Sequence, residues 1–335
     1  MCDKVNHLPV VSVIIPVFNA ANFLKEAIDS ITSQTYKNLD IIICYDQSSD
    51  ESLSIIQQSM SEDPRIRLSS GINRGLVRSL NDGIKLASGK YIVRMDADDI
   101  SVDTRIEKQV TFMEENQDIG VCGSWVEVLF EDGQKRTWKT PLEHEKIKPH
   151  LLFSVPFAHP SVIMRNYFGT AFPFYDEDFN TVEDYKLWCD LLLCTKFANY
   201  PEILLTYRYH ESSLSKTADS DIDTRYESMY SVFITQLNSL GVENSHTENY
   251  CHFILTSNDR LSRTSLKPDF VVSYIYKLLR QNDKTLYFQG KNLKLFLLKK
   301  LLVYLVLQIK QKNIFNFIQI LKLKNINIIS KICLD

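Results

Sequence analysis

The sequence has no Cys-x-x-Cys pair, no long apolar run and no strong net charge, and each absence excludes a class of protein. Its seven cysteines are odd in number and several lie in apolar stretches, so we expect neither a disulfide framework nor a zinc site. The longest uninterrupted apolar run, Leu301 to Leu307, is far shorter than the ~20 residues that span a bilayer. The net charge of -3 predicts no nucleic-acid partner.

The first residues also lack the apolar core of a secretory signal. Cysteines placed in apolar stretches are typical of small buried thiols in a reducing compartment. We therefore expect a cytoplasmic protein. With 335 residues, of which 44% are hydrophobic and 24% charged, the chain is long enough for one large domain or for a catalytic domain with an appendage.

Apolar strands alternate with amphipathic helices over roughly the first two hundred residues. Val10 to Phe18 and Leu39 to Tyr45 are rich in β-branched residues, which is typical of parallel strands covered on both faces. A helix is predicted between them over Asn19 to Gln34, and further strands over Tyr91 to Met95 and Leu204 to Tyr209. The alternation predicts a doubly wound, mostly parallel α/β sheet that binds its ligand at the carboxyl ends of the strands.

The alternation ends near residue 217, and the rest of the chain is predicted to be helical. We place a domain boundary there, with a catalytic domain over 1–217 and a helical C-terminal region over 218–335. The stretch from Gly290 to Asp335 holds nine lysines and one aspartate, a local charge of +8 that leaves -11 for the remainder. Two interpretations stay open: an amphipathic helix in peripheral contact with an anionic membrane, or a helical cap packed on the catalytic domain or on another subunit of a homo-oligomer.

A further short strand is predicted at Ile66 and Leu68, and four polar residues lie just past predicted strands: Asn19, Asp46, Asn73 and Asp96. Because parallel strands end at one edge of a sheet, we expect these side chains to lie near a common ligand. Asp46 has the polar chemistry to bind a nucleobase or ribose, or it caps the next helix. Asn73 and the nearby Gly75 allow a backbone to approach a ligand closely, or they serve only the turn.

The strand that ends at Met95 is followed by three carboxylates within four positions. Asp96 and Asp98 lie on the same side of an extended backbone, a pattern that favours a Mg²⁺ or Mn²⁺ site that also holds a diphosphate. The alternative is a solvated acidic turn. Asp99 is expected to cap the turn into the next helix. A calcium loop is excluded because Ile100 and Ser101 occupy a ligand position and the required glycine position.

A second acidic pair, Glu183-Asp184, opens a predicted helix far along the chain. One of these carboxylates has the chemistry of a general base toward an incoming hydroxyl, although the helix dipole alone would also stabilise an acid there. His210 ends the last predicted strand and is a candidate metal ligand or phosphate contact; otherwise it is a surface histidine. His159, between Ala158 and Pro160, is expected to be structural.

Taken in order, these motifs resemble those of family 2 glycosyltransferases with the GT-A fold, of the kind that assembles bacterial polysaccharides. The resemblance covers about Val10 to Ser215, and the ordered set is far more specific than any single motif. Its residues are Asn19, Ser30, Gln34, Asp46-Gln47-Ser48-Ser49-Asp50, Asn73-x-Gly75, Asn81-x-Gly83, Ala87-x-Gly89-x-Tyr91-Ile92, Met95-Asp96-Ala97-Asp98-Asp99 and Glu183-Asp184-x-x-Leu187-Trp188.

The resemblance implies inverting transfer of a sugar from a nucleotide-diphosphate sugar, with a UDP-sugar favoured, to a hydroxyl of a glycan or lipid-linked acceptor in cell-surface polysaccharide synthesis. It implies Mn²⁺ or Mg²⁺ as cofactor. On the donor side it implies that Asp46 meets the base, that Asp96 meets the ribose and the metal, and that Asp98 binds the metal directly. His210 matches a family histidine that completes the metal or diphosphate site.

On the acceptor side the resemblance implies Asp184 as general base, with Glu183 orienting it or meeting acceptor hydroxyls. Tyr45 and Gln47 depart from residues common in the family beside the base pocket, which leaves the nucleotide's identity open. A sugar-nucleotide pyrophosphorylase would need a Gly-rich, basic loop after the first strand, which is absent here. The presence of both Asp98 and Asp184 argues against a non-catalytic sugar-nucleotide binding protein.

Overall fold

The computed structural model describes residues 8–167, 174–210 and 221–310. The chain forms two compact units, the first made of Met1–His144 with Pro156–Ala218 and the second of Glu145–Val155 with Asp219–Asp335. The predicted domain boundary at 217/218 and the tail beyond residue 310 lie outside the described residues. That boundary stays a prediction.

The first unit contains a nine-stranded sheet among the described residues, in the order β3-β2-β1-β4-β8-β6-β9-β5, with β7 paired to β6. The strands are β1 (Val11–Val17), β2 (Leu39–Asp46), β3 (Ile66–Gly71), β4 (Tyr91–Arg94), β5 (Ile100–Ser101), β6 (Ile119–Phe130), β7 (Lys135–Trp138), β8 (Ile163–Arg165) and β9 (Lys196–Tyr209). The helices are α1 (Ala21–Thr32), α2 (Ser52–Glu62), α3 (Gly75–Leu86), α4 (Arg105–Glu115), α5 (His144–Ile147), which lies at the division between the two units, and α6 (Glu183–Leu191).

Parallel pairing joins β3, β2, β1 and β4, and it also joins the long strands β6 and β9. The antiparallel pairs, such as β4 with β8, are shorter. Val17 at the end of β1 pairs with Tyr45, so the residues that follow β1 and β2 start from one edge of the sheet. The predicted α/β fold with a helical C-terminal region is confirmed, and the edge where the candidate residues gather is the carboxyl edge of the parallel strands.

Strand β9 differs most from the prediction, since it begins at Lys196 and not at Leu204. Pro201 and Glu202 interrupt the apolar pattern in the middle of the strand. The register with β6 shifts there, because Tyr200 pairs with Ser124 whereas Ile203 pairs with Trp125. Proline cannot donate to the hydrogen-bond ladder and is tolerated at such an irregularity, so one bulged strand looks like two segments in the sequence.

The second unit is helical. Its helices are α7 (Ile222–Ser239), α8 (His246–Leu255), α9 (Asn258–Ser262), α10 (Pro268–Thr285) and α11 (Gly290–Lys310). His252 lies at its centre, fully buried and stacked on Phe153 with ring centroids 4.2 Å apart. Its Nδ1 lies 2.7 Å from the Tyr274 hydroxyl and its Nε2 lies 2.6 Å from the Leu152 carbonyl oxygen. Both ring nitrogens are therefore engaged, and burial lowers the pKa of this histidine to about 3.

One interpretation of the sequence was an amphipathic helix, but α11 carries leucines on both its buried and its exposed side. One stripe, which includes Leu293, Leu297 and Leu301, is buried. The opposite side still exposes Leu295 and Leu302 among lysines. None of the described helices combines the length and the apolar content of a membrane-spanning segment.

Candidate active site

Three carboxylates converge in the loop after β4. One oxygen from each of Asp96, Asp98 and Asp99 lies within 4.8 Å of the other two. Asp96 and Asp98 are partly exposed, whereas Asp99 is completely buried. Oxygen ligands at this separation suit a hard divalent cation. The structure therefore brings together the two carboxylates that the sequence singled out as metal ligands.

His210 lies beside this loop although it is 112 residues away from Asp98 in the sequence. Its Nε2 lies 2.8 Å from Asp98 Oδ2. Two residues earlier, Arg208 donates from Nη1 to the Asp98 carbonyl oxygen at 2.7 Å and forms an ion pair with Glu26 of α1. The end of β9 is thus fastened to the acidic loop, with an imidazole nitrogen against one oxygen of Asp98.

The expectation that Asp99 caps the next helix is wrong. Thr104 is the residue before α4, and Asp99 lies ahead of the short strand β5. Asp99 Oδ1 accepts the backbone N–H of Arg208 at 2.9 Å. Burial, with Asp96 and Asp98 nearby, raises the pKa of Asp99 well above its usual value. The side chain fastens β9 to the loop, a role that requires the β9 backbone and is invisible in the local sequence.

Arg94 is a site residue that the sequence reasoning missed. Both of its terminal nitrogens pair with the two carboxylate oxygens of Asp96. The guanidinium is only 4% exposed, at the end of a strand whose four residues are all buried. Burial raises the pKa of Asp96, and Arg94 opposes that rise. The available signal was an arginine at the end of a strand of otherwise apolar residues.

At the end of β2, Asp46 holds the loop that precedes α3. Its Oδ2 accepts the Gly75 N–H at 2.9 Å and its Oδ1 accepts the Gln47 N–H at 3.0 Å. Burial works to raise the pKa of Asp46, but these backbone donors outweigh it and lower the pKa. Asn73 and Gly75 have positive φ angles of 52° and 69°. Asp46 thus holds the turn that contains Asn73 and Gly75. This arrangement fits both a ligand-binding role and a purely structural one.

Asn19 joins the loops that follow β1 and β2. Its Oδ1 accepts the Ser49 N–H at 2.9 Å, and its own N–H donates to Ser48 Oγ at 2.9 Å. Its φ is 47°, a left-handed conformation that asparagine adopts more readily than most residues. Asn19 therefore fastens these two loops to each other.

The second acidic pair lies at the first turn of α6. Glu183 is 7% exposed, whereas Asp184 is partly exposed and its Oδ1 accepts the Tyr185 N–H at 2.6 Å. Asp184 interacts electrostatically with Asp96, so the two acidic regions are close. Burial and then the adjacent Asp184 raise the pKa of Glu183 to about 7. Thr181, just ahead, has a φ of 70°, which is strained for a β-branched residue.

His159 is buried, as a structural histidine should be, and its Nε2 lies 2.6 Å from the Tyr175 hydroxyl. Its ring also packs edge-on against Trp188 of α6. Burial lowers the pKa of His159 well below its usual value. It supports the helix that carries the acidic pair without carrying charge itself.

The raised pKa of Glu183 predicts a pH-dependent stability. The folded-state pKa of about 7 exceeds the usual 4.5, so the stabilising contribution of the protonated form is complete below about pH 4.5 and is lost as the pH rises through 7. Glu183→Gln should therefore gain stability relative to wild type between pH 5 and pH 8. Urea unfolding of both proteins in EDTA at several pH values measures this. An unchanged difference between them across that range would contradict the burial-driven shift.

The sequence of this chain is similar to sequences of known proteins. Residues 12–169 match the family model "Glycosyl transferase family 2". An uncharacterised glycosyltransferase of Haemophilus influenzae is 37% identical over 247 residues, covering 70% of this chain and 76% of the relative. A putative glycosyltransferase of Bacillus subtilis, EpsE, is 33% identical over 232 residues, covering 68% of this chain and 80% of the relative.

Two solved structures resemble the fold at low sequence identity. S. aureus TarS 1–349 in complex with UDP-GlcNAc matches with a TM-score of 0.60 at 15% identity, covering 90% of this chain and 91% of TarS 1–349. The mannosyltransferase PcManGT of Pyrobaculum calidifontis, in complex with GDP-Man and Mn²⁺, matches with a TM-score of 0.52 at 14% identity, covering 90% and 87%. The fold is of the GT-A type, and the close sequence relatives show that this chain is a glycosyltransferase of family 2.

Proposed function

We propose that this glycosyltransferase moves a sugar from a nucleotide-diphosphate sugar to an acceptor hydroxyl with inversion at the anomeric carbon, assisted by a divalent metal. The observation that carries the proposal is the meeting of two acidic regions. The Asp96-to-Asp99 loop gathers ligand oxygens beside His210, and Asp184 lies within electrostatic reach of Asp96. The first region suits the leaving diphosphate and the second suits the attacking hydroxyl.

The donor-side residues fit Mn²⁺ or Mg²⁺. Asp98 and Asp96 offer carboxylate oxygens, and His210 adds a nitrogen that Mn²⁺ accepts more readily than Mg²⁺ does. A metal held there would neutralise the negative charge that the leaving diphosphate gathers. Asp98 is the proposed direct ligand, and Asp96 is shared between metal and ribose. Arg208 and Asp99 keep the loop and His210 together.

The nucleoside is assigned to the edge formed by β1, β2 and the turn before α3. Asp46 is the proposed base contact, and its lowered pKa keeps it ionised and able to accept a hydrogen bond. Asn73 and Gly75 let the backbone approach the ligand, and Asn19 holds the neighbouring loop. We favour a UDP-sugar as donor.

The acceptor hydroxyl is assigned to Asp184. A partly exposed carboxylate at the first turn of a helix can take the hydroxyl proton as the oxygen attacks the anomeric carbon. This single displacement proceeds through an oxocarbenium-like state and needs no covalent sugar–enzyme intermediate. Glu183, buried beside it with a raised pKa, orients the base or meets acceptor hydroxyls.

The proposed acceptor is a glycan or a lipid-linked glycan of cell-surface polysaccharide synthesis, reached from the cytoplasm. The exposed stripe of α11 formed by Leu295, Lys299 and Leu302 supports peripheral contact with an anionic membrane. Sedimentation with phosphatidylcholine vesicles, with and without phosphatidylglycerol, tests this. We expect binding only to the anionic vesicles, and weaker binding for Lys299→Glu. Equally weak binding of the protein to the two vesicle types would instead favour the helical-cap interpretation, with or without a homo-oligomer.

The reaction itself is tested by incubating purified protein and Mn²⁺ with UDP-, dTDP- and GDP-sugars. Released nucleotide and equilibrium binding are both measured. We expect binding and slow hydrolysis of one nucleotide class even without acceptor, and faster release when an acceptor glycan is supplied. Absence of binding to all three classes would overturn the donor assignment.

A further inference from the structure

Arg94 is placed to act on both halves of the site. It ends β4, its guanidinium is 4% exposed, and both of its terminal nitrogens pair with Asp96. Residues two apart in an extended segment project to the same side, so the pairing is a local consequence of Arg94 and Asp96 flanking Met95. A guanidinium and a carboxylate joined by two bonds fix each other's planes, which a lysine ammonium cannot do.

The same guanidinium also acts on the acceptor side. Arg94 lies on the face of β4 that carries Ile92, and Ile92 lines a cavity together with Leu187 and Leu191 of α6. This is the face that α6 covers. The charge of Arg94 opposes the rise in the pKa of Glu183, at the first turn of that helix. Arg94 thus pairs directly with Asp96, and its charge also works to lower the pKa of Glu183 at the start of α6.

The bonding of Arg94 differs from that of arginines that only support packing. Arg165 donates to the carbonyl oxygens of Ile119, Met113 and Asn116, well away from the acidic loop. Both terminal nitrogens of Arg94 instead pair with a single carboxylate, and its Nε has no partner among the described residues. An ion pair with a buried partner often adds little net stability compared with apolar packing, so the paired geometry of the buried Arg94 needs another explanation.

We propose that Arg94 is a positioning residue that couples the donor and acceptor halves of the site. Its paired nitrogens fix the Asp96 carboxylate toward the metal and ribose, and its charge balances the acidic pair at the start of α6. The inference rests on the proposed function, since that function assigns Asp96 and Asp184 to the two substrates.

The test compares Arg94→Lys, Arg94→Met, Asp96→Asn and the double variant Arg94→Met/Asp96→Asn with wild type. Arg165→Lys is the matched control, a half-buried arginine of the same sheet. Thermal unfolding, Mn²⁺ binding in the presence of UDP (by electron paramagnetic resonance), and kcat and KM with the active nucleotide sugar are measured. A double-mutant cycle isolates the coupling between the two side chains.

For Arg94→Lys we expect near-wild-type unfolding but a kcat lowered about 100-fold, with donor KM changed far less, because the charge remains while the paired geometry is lost. Arg94→Met should lower Tm, and adding Asp96→Asn should restore part of it, with activity no lower than that of the worse single variant. Arg165→Lys should leave kcat unchanged.

Additive losses in the double variant, or wild-type kcat in Arg94→Lys, would overturn the coupling. A wild type that turns over no nucleotide sugar would instead defeat the proposed function. In that event the unfolding and Mn²⁺-binding cycles still decide whether Arg94 positions Asp96: non-additive effects support it and additive effects reject it.

Discussion

Asp184→Asn is expected to lower the rate of sugar transfer by about 10³-fold while leaving nucleotide-sugar binding nearly unchanged. Loss of a general base costs about 10²- to 10⁴-fold, and asparagine keeps the shape of the side chain without its proton affinity. Asp184 lies at the first turn of α6, next to the buried Glu183 and within electrostatic reach of Asp96. Transfer is measured by nucleotide release with acceptor present, and binding by calorimetry.

Asp190→Asn is the matched control, because Asp190 lies on the same helix, is partly exposed and pairs with Lys186. We expect its transfer rate to stay within about twofold of wild type, as for surface substitutions generally. Normal transfer by Asp184→Asn would show that another group is the base. Equal losses in the two variants would point instead to damage to the helix.

Asp98→Asn is expected to weaken Mn²⁺ binding by more than about 10²-fold and to abolish transfer at ordinary metal concentrations. This loss of metal affinity is larger than the roughly 10- to 100-fold loss caused by removing an outer-shell partner, because Asp98 is proposed to bind the metal directly. His210→Ala should weaken Mn²⁺ binding and transfer less than Asp98→Asn does. The histidine nitrogen lies against an oxygen of Asp98 and would only supplement the carboxylate ligands. Binding of Mn²⁺ with UDP and transfer rates measure both effects.

Asp103→Asn serves as control, because Asp103 is an exposed acid only a few residues further along. It should bind Mn²⁺ and transfer sugar as wild type does. EDTA treatment should reproduce the Asp98→Asn phenotype in the wild-type protein, and added Mn²⁺ should reverse it. Full transfer in EDTA would remove the metal from the proposed mechanism without touching the assignment of Asp184.

Much of this site could be anticipated because it is local. Asn19 and Asp96 lie two residues past β1 and β4, Asp46 ends β2, and parallel strands end at one edge whatever their order in the sheet. The pairing of Val17 with Tyr45 bears this out for the first two strands. Strand β9 was only half recognised, because Pro201 breaks its apolar pattern at a bulge that the register with β6 accommodates.

The partners of the acidic loop could not be anticipated in the same way. The local sequence predicts that Asp99 caps the turn into the next helix, yet its partner is the backbone of Arg208. Arg94 gave no motif, since a single arginine after three apolar residues has many explanations. Burial decides between them, and burial depends on residues far away in the chain.

The sequence by itself determined the alternation of strands and helices, the carboxylates at the strand ends and the resemblance to family 2 glycosyltransferases, because periodicity and residue order are local properties. Only the tertiary structure decided that the end of β9 brings His210 to Asp98 and that Asp99 meets the backbone of Arg208. These contacts depend on β-sheet pairing and burial, in which residues over a hundred positions apart become neighbours.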